Sequence, residues 1–177
     1  MSSIITSKYK PCRRYGIDFW SMNIPKAKLL KVPGDTRKTK KSSLYKQQLS
    51  EKQKLYYYYF GISNKQMRNA YRLAIKTEAP QQKFIYLIES RLHAYIMRAS
   101  SINSPFKIKQ MINHRNVYVN GKKCTYKSYV VKNSDVIEFN NEKLVVADDY
   151  SKKMTIMGAK PMPFTPNIQM VFSYFKR

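Results

Sequence analysis

Between Glu89 and Phe139 the spacing of apolar residues changes, and the change predicts the elements. Leu92, Ile96 and Ala99 recur at helical spacing, with Arg91 and Arg98 on other faces. Ser104 is suited to cap a second, short helix, and Pro105 stands at its first position, where a missing N–H costs nothing. Ile108, Met111 and Ile112 then form one side of that helix, while Lys107, Gln110 and His114 share another. After His114 the period drops to two. Val117 and Val119 alternate with Tyr118, and Asn120-Gly121 is a hairpin signal because both central residues of that turn need positive φ. Val130-Val131 starts another extended run, Asn133-Ser134-Asp135 turns the chain, and Val136 to Phe139 reads as a strand. A two-helix unit therefore feeds a small β-meander.

The flanking patterns are helical or weak. Leu49 to Tyr59 reads as a helix stopped by Gly61. Ser63-Asn64-Lys65-Gln66 is a capping box that opens a helix to about Thr77, with Met67, Ala70, Tyr71 and Ala74 as its apolar face. The four tyrosines Tyr56 to Tyr59 cannot share one face, so some are expected in the core and others outside. Lys83 to Arg98 is predicted as one long helix. Leu144 to Ala147 closes a strand, Asp148-Asp149 marks a surface break, and residues 151–166, with Pro161, Pro163 and Pro166, read as a loop. Residues 1–48 show little periodicity and are expected to form a basic arm that orders on a partner. There Lys8, Lys10, Arg13, Arg14, Lys26, Lys28, Lys31, Arg37, Lys38, Lys40, Lys41 and Lys46 face only Asp18 and Asp35. A solubilising tail is the alternative, which the interleaved aromatic residues disfavour.

Charge turns this pattern into a statement about partners. The chain has 177 residues and a formal net charge of +24. Self-repulsion of that size is tolerable when a polyanion neutralises it, and nucleic acid comes before an anionic membrane surface. No apolar run is long enough to span a bilayer. Basic and amide side chains gather on the short helix and the hairpin, a surface suited to folded RNA. Lys52, Gln53 and Lys54 add candidate phosphate contacts.

Other chemistry is missing. The ten acidic residues are scattered without a close pair suited to acid–base work, so no catalytic residues are assigned. His93 and His114 are not at zinc spacing, and Cys12 and Cys124 form no metal motif, so no metal or cofactor is expected. The two cysteines are expected to stay unbridged. His93 is read as structural, and His114 as either an RNA contact or a helix-end residue. Lys, Tyr, Ile and Asn are abundant while Gly and Pro are few, a choice of residues associated with A/T-rich coding.

Several motifs together resemble one family. Glu89-Ser90-Arg91-Leu92, His114, Val117-Tyr118-Val119-Asn120-Gly121, Ser128-Tyr129 and Asp135-Val136-Ile137 follow, in order and spacing, the small RNA-binding module of bacterial small-subunit ribosomal protein four. Departures are His93 for the usual Asp, Ile108-Lys109 for Ala-Arg, Arg115 for Gly, and Asn133-Ser134 for Pro-Gly. Upstream, Lys10-Pro11-Cys12-Arg13-Arg14-Tyr15-Gly16, Ser43-Leu44-Tyr45, Gln48 to Leu55 and Tyr59-Phe60-Gly61-Ile62 resemble other segments of the same family. So does Asn167 to Arg177 at the C-terminus.

The resemblance implies an α+β fold: a discontinuous, mostly helical RNA-binding domain with an inserted module of two helices and a β-meander, preceded by a basic arm. The implied divisions are 1–48, 49–88 with 148–177, and 89–147. Implied RNA contacts are Arg13, Arg14, Lys52, Lys54, Arg91, Lys107, Lys109, Gln110, His114, Lys122, Lys123 and Lys127. The implied role is structural: binding small-subunit ribosomal RNA, nucleating assembly and supporting translation. Implied partners are that RNA, ribosomal protein five and messenger RNA near its entry path, with no membrane. The expected setting is the mitochondrial ribosome, or the plastid as the alternative. Nine residues precede Lys10, too few for a typical transit peptide, so the protein is expected to be made where it works or to have lost a presequence. Two other readings stay open, an RNA-modifying enzyme or its targeting subunit, and a free-standing ribosome rescue factor.

Overall fold

In a computed structural model the described residues are 9–30, 43–60, 62–150, 156 and 159–176. They fall into two compact units. One runs through Arg68 and resumes at Met162; the other is Asn69–Pro161.

In the first unit, α1 (Tyr9–Tyr15), α2 (Lys26–Leu29), α3 (Leu44–Tyr58) and a C-terminal helix, α8 (Ile168–Phe175), surround an aromatic core. Two caps set the helix starts. The Ser43 hydroxyl accepts from the Lys46 N–H at 3.3 Å, and the Asn167 side chain accepts from Met170 at 3.1 Å. α8 lies along α3, where the Tyr174 ring reaches Tyr45 (5.9 Å between centroids) and the Asn167 N–H donates to Glu51 at 3.3 Å.

The expected arm is corrected here. Residues 9–30 are folded into this unit, with Cys12, Phe19 and Trp20 buried. The Trp20 indole N–H donates to the Tyr58 carbonyl at 3.2 Å, and edge-to-face contacts link Phe19 and Tyr58 to Phe164. Phe19 and Trp20 pack from a turn, and a turn leaves no periodicity to read. α3 also starts at Leu44, not Leu49, because Ser43 caps it. Lys8, Lys31, Arg37, Lys38, Lys40, Lys41 and Gly61 lie outside the described residues. Of the four tyrosines, Tyr58 and Tyr59 are buried, whereas Tyr56 and Tyr57 are half-buried.

α4 (Asn64–Ala74) begins at the capping box that the sequence predicts. The Gln66 N–H donates to the Ser63 hydroxyl at 3.3 Å, and the Ser63 N–H donates to the Gln66 side chain at 3.0 Å. The helix ends three residues early, where Thr77 turns back through its hydroxyl and N–H onto the Ala74 carbonyl.

The second unit holds α5 (Pro80–Glu89), α6 (Leu92–Ala99), α7 (Pro105–Asn113) and a four-stranded antiparallel sheet. Its strands are β1 (Val117–Val119), β2 (Lys122–Lys123), β3 (Val136–Phe139) and β4 (Glu142–Val145), in the order β2-β1-β3-β4. Leu92, Ile96, Ile108, Ile112, Val117 and Ile137 are fully buried and form its core. Ser104 caps α7, accepting from Lys107 at 3.4 Å.

The single helix expected over Lys83–Arg98 is two. Arg91 is extended (φ −78°, ψ 135°) and bridges Val130, while Val131 donates to the Ser90 carbonyl at 2.7 Å and Leu92 to the Tyr129 carbonyl at 2.8 Å. Residues 127–131 thus supply the backbone partners that a continuous helix would have supplied itself. The extended run at Val130-Val131 pairs as this isolated bridge and not as a strand. β4 is Glu142–Val145, two residues earlier than the sequence suggests, in register with β3. The chain turns at Asp148, as expected, and residues 159–166 carry neither helix nor strand.

Asn120 and Gly121 take φ of 51° and 74°, the values a two-residue hairpin needs. The Asn120 amide also accepts from the Val136 N–H (2.8 Å) and donates to Asp135 (2.9 Å). Asp135, buried, further accepts from the Tyr129 hydroxyl (3.3 Å) and the Lys132 N–H (2.8 Å). One carboxylate therefore joins the hairpin, the 127–132 segment and β3.

Two stability measurements test this architecture by urea unfolding. Trp20→Ala should cost about 3–5 kcal/mol if residues 9–30 belong to the core; an unchanged midpoint would return them to the status of an arm. Asp135→Ala, which removes the shared acceptor of three part-buried hydrogen bonds, should cost about 2–4 kcal/mol.

Candidate nucleic-acid interface

From Ser90 to Ser134 the chain contains no Asp or Glu. α7 and the β1–β2 hairpin therefore place cations where no carboxylate of their own segment can answer them. α7 buries Ile108, Met111 and Ile112 and turns Lys107 and Gln110 outward, with Lys109 half-buried. His114 caps its C-terminal end and is exposed. β2 carries Lys122 and Lys123, both exposed, paired to Val119 and Tyr118. Lys127 is half-buried in the loop that closes on α6.

Lys109 and Lys127 are close enough to feel each other. Burial lowers the Lys127 ammonium below its ordinary range, and Lys109 lowers it further. Both also act on His93 of α6. Burial holds that imidazole at about 4, partly opposed by the Pro105 carbonyl 3.2 Å from Nε2, with Lys127 and Lys109 pushing the same way as burial. His93 is thus a neutral structural residue, as the sequence reading has it. Arg91, half-buried at the start of α6, is likewise lowered by burial. The structure brings Arg91, Lys107, Lys109, Gln110, His114, Lys122, Lys123 and Lys127 into the second unit.

The other four residues lie in the first unit and fare differently. Arg14 is exposed, its guanidinium 5.7 Å from the Tyr15 ring centre, and Arg13 is half-buried. Lys52 is corrected as a surface contact. It is only 6% exposed, its ammonium stands 4.4 Å over the Tyr174 ring and 3.3 Å from the Tyr174 hydroxyl, and burial lowers its pKa. Lys54 is engaged by Glu51 at 2.6 Å. Lys52 faces α8, an environment that its own helix pattern does not reveal, whereas Lys54 meets a partner one turn back on the same helix.

Sequence reasoning passed over two groups. Arg115 is exposed directly after α7, in the left-handed region (φ 63°). The Tyr126 ring is 75% exposed within the loop that carries Lys127. The available signal for Tyr126 was an aromatic residue between lysines in a stretch without acids.

No group of three or more His, Cys, Asp or Glu among the described residues could hold a metal ion, and no helix among them is long and apolar enough to cross a membrane. Cys12 and Cys124 are buried and not bridged.

Two family models match the sequence in succession. Residues 4–89 match the ribosomal protein S4/S9 N-terminal domain, and residues 90–137 match the S4 domain. Small ribosomal subunit protein uS4 of Gluconacetobacter diazotrophicus is 38% identical over 142 residues, covering 78% of this chain and 69% of that protein. The uS4 of Gluconobacter oxydans is 38% identical over 161 residues, covering 89% and 75%. The uS4 of Pelagibacter ubique is 32% identical along the full length of both chains.

The depressed His93 predicts a pH effect. Its folded value, about 4, lies below the ordinary 6.5, so the unfolded chain binds the proton first as pH falls. Stability from this group is complete above pH 6.5 and is lost between 6.5 and 4, by up to about 3 kcal/mol. Urea unfolding of wild type and His93→Gln across that range should show the slope shrinking in the variant; parallel slopes would refute it.

Proposed function

Since the chain belongs to the uS4 family of small-subunit ribosomal proteins, we propose that it is a structural constituent of a small ribosomal subunit that binds ribosomal RNA and supports assembly and translation. The observation that carries the reading is the acid-free stretch Ser90–Ser134, folded so that Lys107, Gln110, His114, Lys122 and Lys123 face outward. Phosphate contacts position such a protein on RNA, and the rigid module matches its shape. Within the second unit Arg91, Lys109 and Lys127 extend the proposed surface, and Arg115 and Tyr126 join it; Arg13 and Arg14 are proposed as separate RNA contacts of the first unit. Lys52 is left out because it is buried, and Lys54 because Glu51 holds it. The enzyme reading drops out: a catalytic domain would have to lie in 1–88 and 148–177, where residues 4–89 match a ribosomal domain and the uS4 of Pelagibacter ubique matches along the full length.

For the domain plan, the proposed module is 89–147, inserted into a helical domain of 49–88 and 148–177. The family matches meet at residues 89 and 90, which supports its start, whereas the compact units divide inside α4. For the compartment, the mitochondrion is proposed, with the plastid as alternative. The support is the A/T-associated residue choice; the relatives named above are bacterial. Contact with ribosomal protein five and with messenger RNA at its entry path is proposed on the family resemblance and is testable by cross-linking within isolated subunits.

Two measurements test the core of this reading. Sedimentation of a lysate through a high-salt gradient should leave one copy per small subunit; release into light fractions would favour a rescue factor. Neutralising Lys107, Lys109 and Lys122 together should weaken binding to small-subunit RNA and flatten the slope of log K against log salt by about 2. An unchanged slope would remove those three from the interface.

A further inference from the structure

Outside the module, a groove of about 480 Å³ opens beside α1. α1 supplies Tyr9 and Arg13 to its lining, and the following segment supplies Asn23, Ile24, Pro25 and Lys28. The turn that builds it is held in place. The Asp18 carboxylate accepts from the Trp20 and Ile24 N–H groups, each at 3.4 Å, and Trp20 is anchored in the core. Ser21 and Asn23 take φ of 49° and 53°, so the chain reverses sharply between the anchor and α2.

The lining combines three chemistries. Arg13 has its Nε buried with no acceptor among the described residues, a donor whose desolvation is uncompensated. Lys28, exposed, adds a second cation. Tyr9 offers a ring that is 53% exposed, and Asn23 an amide with both a donor and an acceptor. A phosphate alone would use Arg13 and Lys28 and leave the ring, the amide and most of the volume idle. The space lies in the range of small-molecule sites. An aromatic wall beside two cations suits a base freed from its helix, because only an unpaired base offers its face for stacking.

Taking the RNA-binding reading as given, we propose that this groove receives a single unpaired nucleotide of the ribosomal RNA. Its phosphate meets Arg13 and Lys28, its base stacks on Tyr9, and the Asn23 amide faces the base edge.

The test uses the full-length chain and small-subunit ribosomal RNA. Tyr9→Ala should weaken binding roughly 5- to 100-fold, the range for loss of one stacked base, without changing the salt slope, because no cation is removed. Tyr9→Phe should bind within about twofold of wild type, since the stacking face is kept. Chemical probing should show one unpaired nucleotide protected by wild type and by Tyr9→Phe but reactive with Tyr9→Ala, other protections being intact. Wild-type affinity and footprint for Tyr9→Ala would overturn the proposal. So would loss of binding for Lys28→Ala with no effect at Tyr9, which would leave a phosphate contact only. In both of those outcomes the wild-type chain still binds the RNA and the ribosomal reading stands; failure of wild type to bind would overturn both.

Discussion

The constraint behind this structure is a shortage of carboxylates. The chain has 34 Lys and Arg against 10 Asp and Glu. The structure uses the few acids internally. Asp135 ties the hairpin to β3, Glu89 holds Arg98 at 2.8 Å, Asp18 fixes the turn before α2, and Glu51 receives both Lys54 and the first N–H of the α8 cap. Glu142 accepts from Ser101, linking β4 to the turn before α7. A carboxylate with several donors around it organises a loop more firmly than a surface ion pair, which contributes little. The consequence is a fold in which these five acids act as joints, while exposed lysines such as Lys107, Lys122 and Lys123 face outward.

How much of this was legible follows from where the information lies. Local signals read correctly. The Ser63–Gln66 capping box, the Ser104-Pro105 start of α7 and the Asn120-Gly121 turn are each decided within four residues, and each is formed as expected. Binary pattern also sufficed for Ile108, Met111 and Ile112. Failures occurred where distant segments intervene. Nothing near Ser90 ends a helix; the break depends on backbone pairing with residues 127–131, far along the chain. The burial of Phe19 and Trp20 likewise depends on Tyr58, Phe60 and Phe164, and an irregular segment carries no period.

The same distinction divides the candidate contacts. Lys52 and Lys107 are identical residues on helices, and charge counting treats them alike. Lys107 follows a cap and points away from the buried side of α7. Lys52 lies under α8, where the Tyr174 ring covers its ammonium. Its replacement partner is an aromatic face, which favours a cation without neutralising it. Which face of α3 is covered is decided by α8, whose sequence begins more than a hundred residues later.

A physical link remains between folding and binding in this chain. In the module Arg91 and Lys127 have their charged forms disfavoured by burial, and Lys109 adds repulsion on Lys127. Keeping His93 neutral avoids a third charge beside that pair. The free module therefore carries cations in an environment that does not fully compensate them. RNA phosphates compensate such groups best when they are already held in place, since no further ordering of the side chains is required. Any ligand that binds the folded chain and not the unfolded one stabilises it in proportion to its excess over the dissociation constant. Sparse carboxylates and half-buried cations are thus one property seen at two levels: the composition requires it, and the helix and hairpin packing expresses it, which is the ground for the proposed RNA surface.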